Sequence, residues 1–201
     1  MPKTNQKFQM KNRILSISFA LIAIAGLTTL TGCKKGENDP VLSLKSRKAR
    51  ISGEWKLNSG TITETFSGSG GSGTALTTYT GSSKTVNGST VTYTETLTIE
   101  KDGTFEVEII EDGDISTVSG NWFFSGKNKD GDLKNKEAVI FSELKYTSSS
   151  GTDTYSGLYG DQILMIDQLK NKELIFKGSS TYQQTGGDSG SYAYDRTFEK
   201  Q

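Results

Sequence analysis

Between Val91 and Ile99 the side chains alternate strictly. Val91, Tyr93, Glu95, Leu97 and Ile99 fall on one face, and Thr92, Thr94, Thr96 and Thr98 on the other. A period of two belongs to a pleated strand with one buried face and is incompatible with a helix. The pattern recurs along the chain. Phe105, Val107 and Ile109 alternate with Glu106 and Glu108. Trp122 and Phe124 continue Val118 and Gly120, while Leu174 with Phe176, and Tyr192 with Tyr194 and Phe198, repeat it. Asn87-Gly88, Asp102-Gly103, Asp112-Gly113 and Asp130-Gly131 punctuate these runs. Such pairs accept positive φ and close hairpins. Strands are therefore expected at 52–66, 75–81, 90–100, 104–111, 115–124, 137–147, 161–169, 172–182 and 190–199. Successive hairpins make a meander, and closure of a meander removes its edge strands. The fold class is all-β: a small antiparallel up-and-down β-barrel of about eight strands over residues 51–201. A sandwich shares the local pattern, but the meander favours the barrel. Ser67 to Thr74, SGSGGSGT, reads as a flexible loop.

Before residue 51 the pattern changes. Lys3, Lys7, Lys11 and Arg13 are basic, no acidic residue occurs through Gly32, and Ile14 to Leu30 is mostly apolar. A basic n-region before an apolar stretch is the pattern of a secretion signal. The stretch ends in Leu30-Thr31-Gly32-Cys33, which resembles the bacterial lipobox: an aliphatic residue, two small residues and the acylated Cys. The resemblance implies a signal peptide over 1–32, then diacylglycerol and a fatty acid carried covalently by Cys33, with no other cofactor. It also implies a lipid membrane as partner. Lys34, in place of the Asp that retains some lipoproteins in the inner membrane, favours an outer-membrane, lipid-anchored protein facing the periplasm or the cell surface. Residues 33–50 carry six basic and two acidic residues and read as an acylated basic tether. Asp39-Pro40 suits the start of a short helix within Val41–Arg50, lying against anionic head groups or solvated.

Composition removes several functions. The chain has no His and one Cys, which excludes Ser-His-Asp and Cys-His catalysis, His-ligated metals and an internal disulfide. Residues 51–201 hold 13 basic against 21 acidic residues, so no nucleic-acid partner is expected. Glu111-Asp112-Gly113-Asp114 and Asn128-Lys129-Asp130-Gly131-Asp132 crowd oxygen ligands but lack the spacing of a calcium loop. They read as hairpin turns, and no metal site is expected. Glu95, alone on an apolar strand face, is the one carboxylate with a reason to be buried. A lone carboxylate does not make a glycosidase pair, and the chain is not expected to be an enzyme.

Gly53-Glu54-Trp55 opens the first predicted strand. Leu97 to Phe105 then gives strand, Asp-Gly and strand. Gly120-Asn121-Trp122 follows, and the chain ends in Tyr194-Asp195-Arg196-Thr197-Phe198-Glu199-Lys200. This ordered set, after a lipobox, resembles the lipocalin-like (calycin-type) domain of Gram-negative lipoproteins over roughly 51–201. The resemblance implies an eight-stranded up-and-down barrel with one closed end. Its members include carriers of small apolar ligands. Gly53, Trp55, Gly120 and Trp122 are then structural: glycine permits close approach, and Trp buries a large area while keeping a polar handle. Arg196 is the only Arg after residue 50 and shares a face with Tyr192, Tyr194 and Phe198. In the family a basic residue of the last strands packs on the first-strand Trp, so Arg196 is expected on Trp55. The functional expectation is a membrane-anchored binding module for a small apolar or amphipathic ligand. The alternatives are a structural or interaction lipoprotein with a filled barrel, or a surface glycan-binding module presenting tyrosines.

Overall fold

Positive φ at Asn87 (48°) and Gly88 (91°), and again at Asp112 (50°) and Gly113 (91°), forms two-residue turns whose twist matches that of the strands they join. Such turns organise the computed structural model, which describes residues 45–68, 71–129, 134–155, 161–183 and 188–201. A short helix, α1 (Arg47–Ile51), precedes eleven strands. These are β1 (Gly53–Gly68), β2 (Gly71–Tyr79), β3 (Ser83–Val86), β4 (Ser89–Ile99), β5 (Thr104–Glu111), β6 (Asp114–Phe124), β7 (Ala138–Ser148), β8 (Gly151–Tyr155), β9 (Gln162–Leu169), β10 (Glu173–Gln183) and β11 (Ser189–Lys200).

The sheet runs β6-β5-β4-β3-β2-β1-β11-β10-β9-β7, every pair antiparallel, and a β6–β7 ladder closes it into a barrel. Ten strands form the ring, and β8, paired with β7 alone, stands outside it. The excess over eight has a local cause. Gly53–Lys56 pair directly with Thr96–Ile99 of β4, so at this end the ring passes from β1 to β4 and holds eight strands. From Gly60 onward β1 pairs with β2 instead, and the β2–β3 hairpin is inserted into the wall.

Alternation and turn pairs predict one strand at 75–81 where the chain forms β2 and the four-residue β3, and they predict none for β8. They also make 67–74 a flexible loop. Instead β1 and β2 pair from Gly60–Tyr79 to Gly68–Gly71, so most of this segment is ladder; positions 69 and 70 lie outside the described residues. Small residues do not prevent pairing when β11 flanks the same strand, as it does at Ser67–Ser189.

The β1–β11 ladder slips by one residue between Leu57 and Ser59. Leu57 opposes Phe198 before the slip and Gly60 opposes Arg196 after it. The bulge thus turns Gly60, Ile62, Glu64 and Phe66 to the face that carries Trp55 and Leu57. Thr61, Thr63 and Thr65 go to the outer face. The interior at the eight-stranded end is packed solid: Trp55, Leu174 and Phe176 are fully buried, and the Phe176 and Phe198 rings meet edge-on at 5.9 Å. Each such side chain contributes about 1.5–3 kcal/mol of burial.

Candidate binding cavity

The eight-stranded end is shut by α1 and the two Gly-x-Trp motifs. Trp55 Nε1 donates to the Ile51 carbonyl at 2.6 Å, which fixes the helix end on the first strand. Trp122 Nε1 donates to the Glu100 carbonyl at 2.7 Å, and its ring meets Phe124 edge-on. Both glycines have a steric reason. Gly53 sits at φ 129°, and a Cβ there would lie 2.6 Å from Lys200 Cε. A Cβ on Gly120 would lie 2.4 Å from the Ser142 carbonyl oxygen, where β7 irregularly faces β6.

The expected cation on Trp55 is present, but it is Lys200 and not Arg196. Lys200 Nζ lies 4.7 Å from the Trp55 ring centroid and donates to the carbonyls of Arg50 and Ser52. Lys200 is directly opposite Trp55 in the ladder, whereas Arg196 opposes Gly60. Lys200 therefore caps the open carbonyls of α1 and covers the indole at once. Burial, then the nearby charges of Lys45 and Lys101, holds its pKa below the ordinary lysine value.

The helix itself differs from a solvated or head-group-bound tether. Ser46 caps it, accepting from the Ala49 N–H at 3.1 Å. Arg47 and Arg50 are buried, and Arg50 Nη1 donates to the Leu169 carbonyl at 2.6 Å. Asp39 and Pro40, the expected start, lie outside the described residues, as do Leu30, Thr31, Gly32 and Cys33.

Above the packed end the barrel holds a cavity of about 300 Å³. Its wall is mostly apolar and includes Leu97, Phe105, Val107, Val118, Phe141 and Phe176. It reaches solvent near Gln162, which is exposed. Along the same strand, β10 pairs with β9 only from Leu174 to Phe176, and beyond that ladder the Tyr194 hydroxyl accepts the Met165 N–H at 2.8 Å.

One polar cluster interrupts this lining. Glu95, 5% exposed, accepts from the Tyr93 hydroxyl at 2.6 Å and is ion-paired with Arg196 Nη2. The Arg196 guanidinium lies between the rings of Tyr79 (5.1 Å) and Phe198 (5.2 Å). Burial opposes its charge, but Glu95 outweighs that and holds its pKa above the ordinary value. Burial, and then the charge of Glu95, pushes the Tyr93 phenol well above its usual range. Tyr79 rises for the same first reason, although Arg196 pulls against it.

Sequence reasoning singles out Glu95 and Arg196 separately and does not pair them. Their partnership needs β1 to pair with both β4 and β11, which brings Glu95 and Arg196 to either side of one strand. Tyr79 and Tyr93 turn inward rather than presenting their rings for glycan stacking, and the rings meet at 5.2 Å. Glu111 to Asp114 is a hairpin turn in which Asp112 accepts from the Thr92 N–H and Lys84 pairs with Glu111. Asp130, Gly131 and Asp132 of the second acidic cluster lie outside the described residues. Among the described residues no three His, Cys, Asp or Glu side chains gather as a metal site, and no helix is long and apolar enough to cross a membrane. No protein family, curated protein or solved structure matches the chain.

Proposed function

We propose that this chain is a lipid-anchored, lipocalin-like lipoprotein whose barrel binds a small apolar or amphipathic ligand. The observation that carries the binding reading is the cavity. A volume of 300 Å³ lies at the lower end of the range of small-molecule pockets, and its apolar wall with few polar groups is the usual composition of such sites. A barrel filled by its own side chains would leave no space of this size. Catalysis is not part of the proposal. Glu95 is the sole carboxylate of the described lining and is already paired with Arg196. The anchoring reading rests on the n-region, the apolar stretch and Leu30-Thr31-Gly32-Cys33. Acyl chains on Cys33 would hold the protein on the outer membrane, since each buried CH₂ contributes about 0.8 kcal/mol.

Native mass spectrometry of the protein taken from its own membrane tests for a co-purifying small molecule. Fluorescence of the neutral probe N-phenyl-1-naphthylamine tests the cavity directly. The wild type should enhance it. Val107→Trp or the milder Val118→Phe should abolish the enhancement with circular dichroism unchanged. A wild-type protein with neither bound molecule nor enhancement is the filled-barrel alternative. For the anchor, Cys33→Ala should lose label from a palmitate analogue, and label persisting in the variant defeats the acylation reading.

A further inference from the structure

The cavity has one polar pole, and that pole carries no net charge. Glu95 and Arg196 neutralise each other inside the barrel. Of the next charges outward, Lys84 and Glu111 form a second neutral pair at 2.5 Å, with Lys84 Nζ 5.3 Å from the Tyr93 ring, and Glu64 is exposed on β1 beside Tyr192. The wall around the pole is apolar or phenolic. An anionic head group entering here would either take Arg196 from Glu95 and strand a buried carboxylate, or share the guanidinium with Glu95 and leave two anions on one cation. A cationic one would have to take Glu95 and strand the guanidinium. Either outcome leaves an uncompensated buried charge, which is strongly unfavourable. One group still lacks a partner: Arg196 Nε is buried and makes no hydrogen bond among the described residues. A buried N–H without an acceptor is uncommon in native proteins and calls for one.

We propose that the cavity selects an uncharged amphiphile whose head supplies a neutral oxygen acceptor to Arg196, with its apolar body against Leu97, Phe105 and Phe141. The inference rests on the ligand-binding reading above and names its ligand class. The space equals roughly ten liquid-water volumes, and filled at protein packing density it takes a ligand of on the order of ten to seventeen non-hydrogen atoms, the upper end being the size of N-phenyl-1-naphthylamine. Alcohols, amides and short esters of medium-chain length fit this description; ionised fatty acids and alkylamines do not.

The test uses three chains of equal length, 1-decanol, decanoate and decylammonium, displacing N-phenyl-1-naphthylamine at pH 8. On the wild type, decanol should displace the probe at least tenfold more effectively than either ion. Ions partition less well than alcohols into any apolar site, so the variants carry the decision. Glu95→Gln leaves Arg196 unneutralised and should improve decanoate at least tenfold relative to decanol. Arg196→Gln leaves Glu95 unneutralised and should do the same for decylammonium. Should one variant fail to fold, the other is decisive by itself. In the wild type, an ion that matches decanol overturns the proposal. Unchanged ion-to-alcohol ratios in a folded variant also overturn it. If the wild type does not take up the probe at all, the cavity-binding reading itself fails, and that result is distinct from binding with the wrong charge preference.

Discussion

Lys200 and Arg196 lie four residues apart on β11 and have separate tasks. Lys200 seals the barrel's closed end through Trp55 and the carbonyls of Arg50 and Ser52. Arg196 neutralises Glu95 in the cavity. Lys200→Met should remove the cation–π contact, about 0.5–2 kcal/mol, together with two charge-assisted hydrogen bonds. The depressed pKa shows that burial takes back part of that gain. A net loss of about 1–2 kcal/mol is expected in urea unfolding, with Lys200→Arg recovering some of it. Equal stability of Lys200→Met and wild type would show that the contact closes nothing. The sequence supplies the Trp55 role and the need for a last-strand cation. It does not supply the register. Arg196 stands out in the sequence for its apolar face, a property Lys200 shares, whereas the ladder pairs Trp55 with Lys200 and places the bulge between Leu57 and Ser59. Glu95 is legible because Tyr93 and Leu97 flank it at period two. Its partner is not, because the 101 residues separating Glu95 from Arg196 leave no local trace.

At the scale of elements, the strands with sharp turn pairs are readable and the short ones are not. β5 falls at 104–111 as expected because Asp102-Gly103 and Asp112-Gly113 bound it. β3 has four residues, too few for alternation to emerge, and α1 has five, too few for a helical period. α1 also buries Arg47 and Arg50, against the usual placement of charge at the surface, so composition points to a tether. The β1–β2 tip carries no pattern because it is Gly and Ser, and yet it pairs. Its side chains are mostly exposed, so it adds ladder hydrogen bonds and little burial. Replacing residues 67–72 with Asn-Gly would join Phe66 to Gly73, which already face each other in the ladder, by a two-residue turn. The melting midpoint should move by less than about 3 °C, equivalent to under about 1 kcal/mol for a domain of this size. A drop of about 10 °C or more, several kcal/mol on the same scale, would show that the tip supports the barrel.

For the whole molecule, the meander is legible because every hairpin is local, while closure and the cavity depend on pairings between distant strands. The same closure places Tyr79, Tyr93, Tyr192 and Tyr194 on one interior wall, and all four phenols have pKa values raised above 10.0, with burial as the first cause. A raised folded-state value means the unfolded chain ionises first as pH increases. These tyrosines therefore contribute stability that is fully present below pH 10.0 and is lost as pH climbs through their folded values. Lys200 has the opposite sign. Its folded value is depressed below 10.5, so deprotonation of the folded state relieves a burial cost over the range just under that pH. Lys177, raised above 10.5 by its hydrogen bond to Asp195, acts in the same direction as the tyrosines, and with five groups against one, stability should fall overall above about pH 10. Unfolding free energy measured in urea from pH 8 to 11 should decline in that window. Part of the tyrosinate absorbance at 295 nm should appear only as near-ultraviolet circular dichroism is lost. If every tyrosine ionises while the dichroism stays native, the four phenols are not held inside a closed wall, and the barrel is open where Tyr194 bridges β11 to Met165.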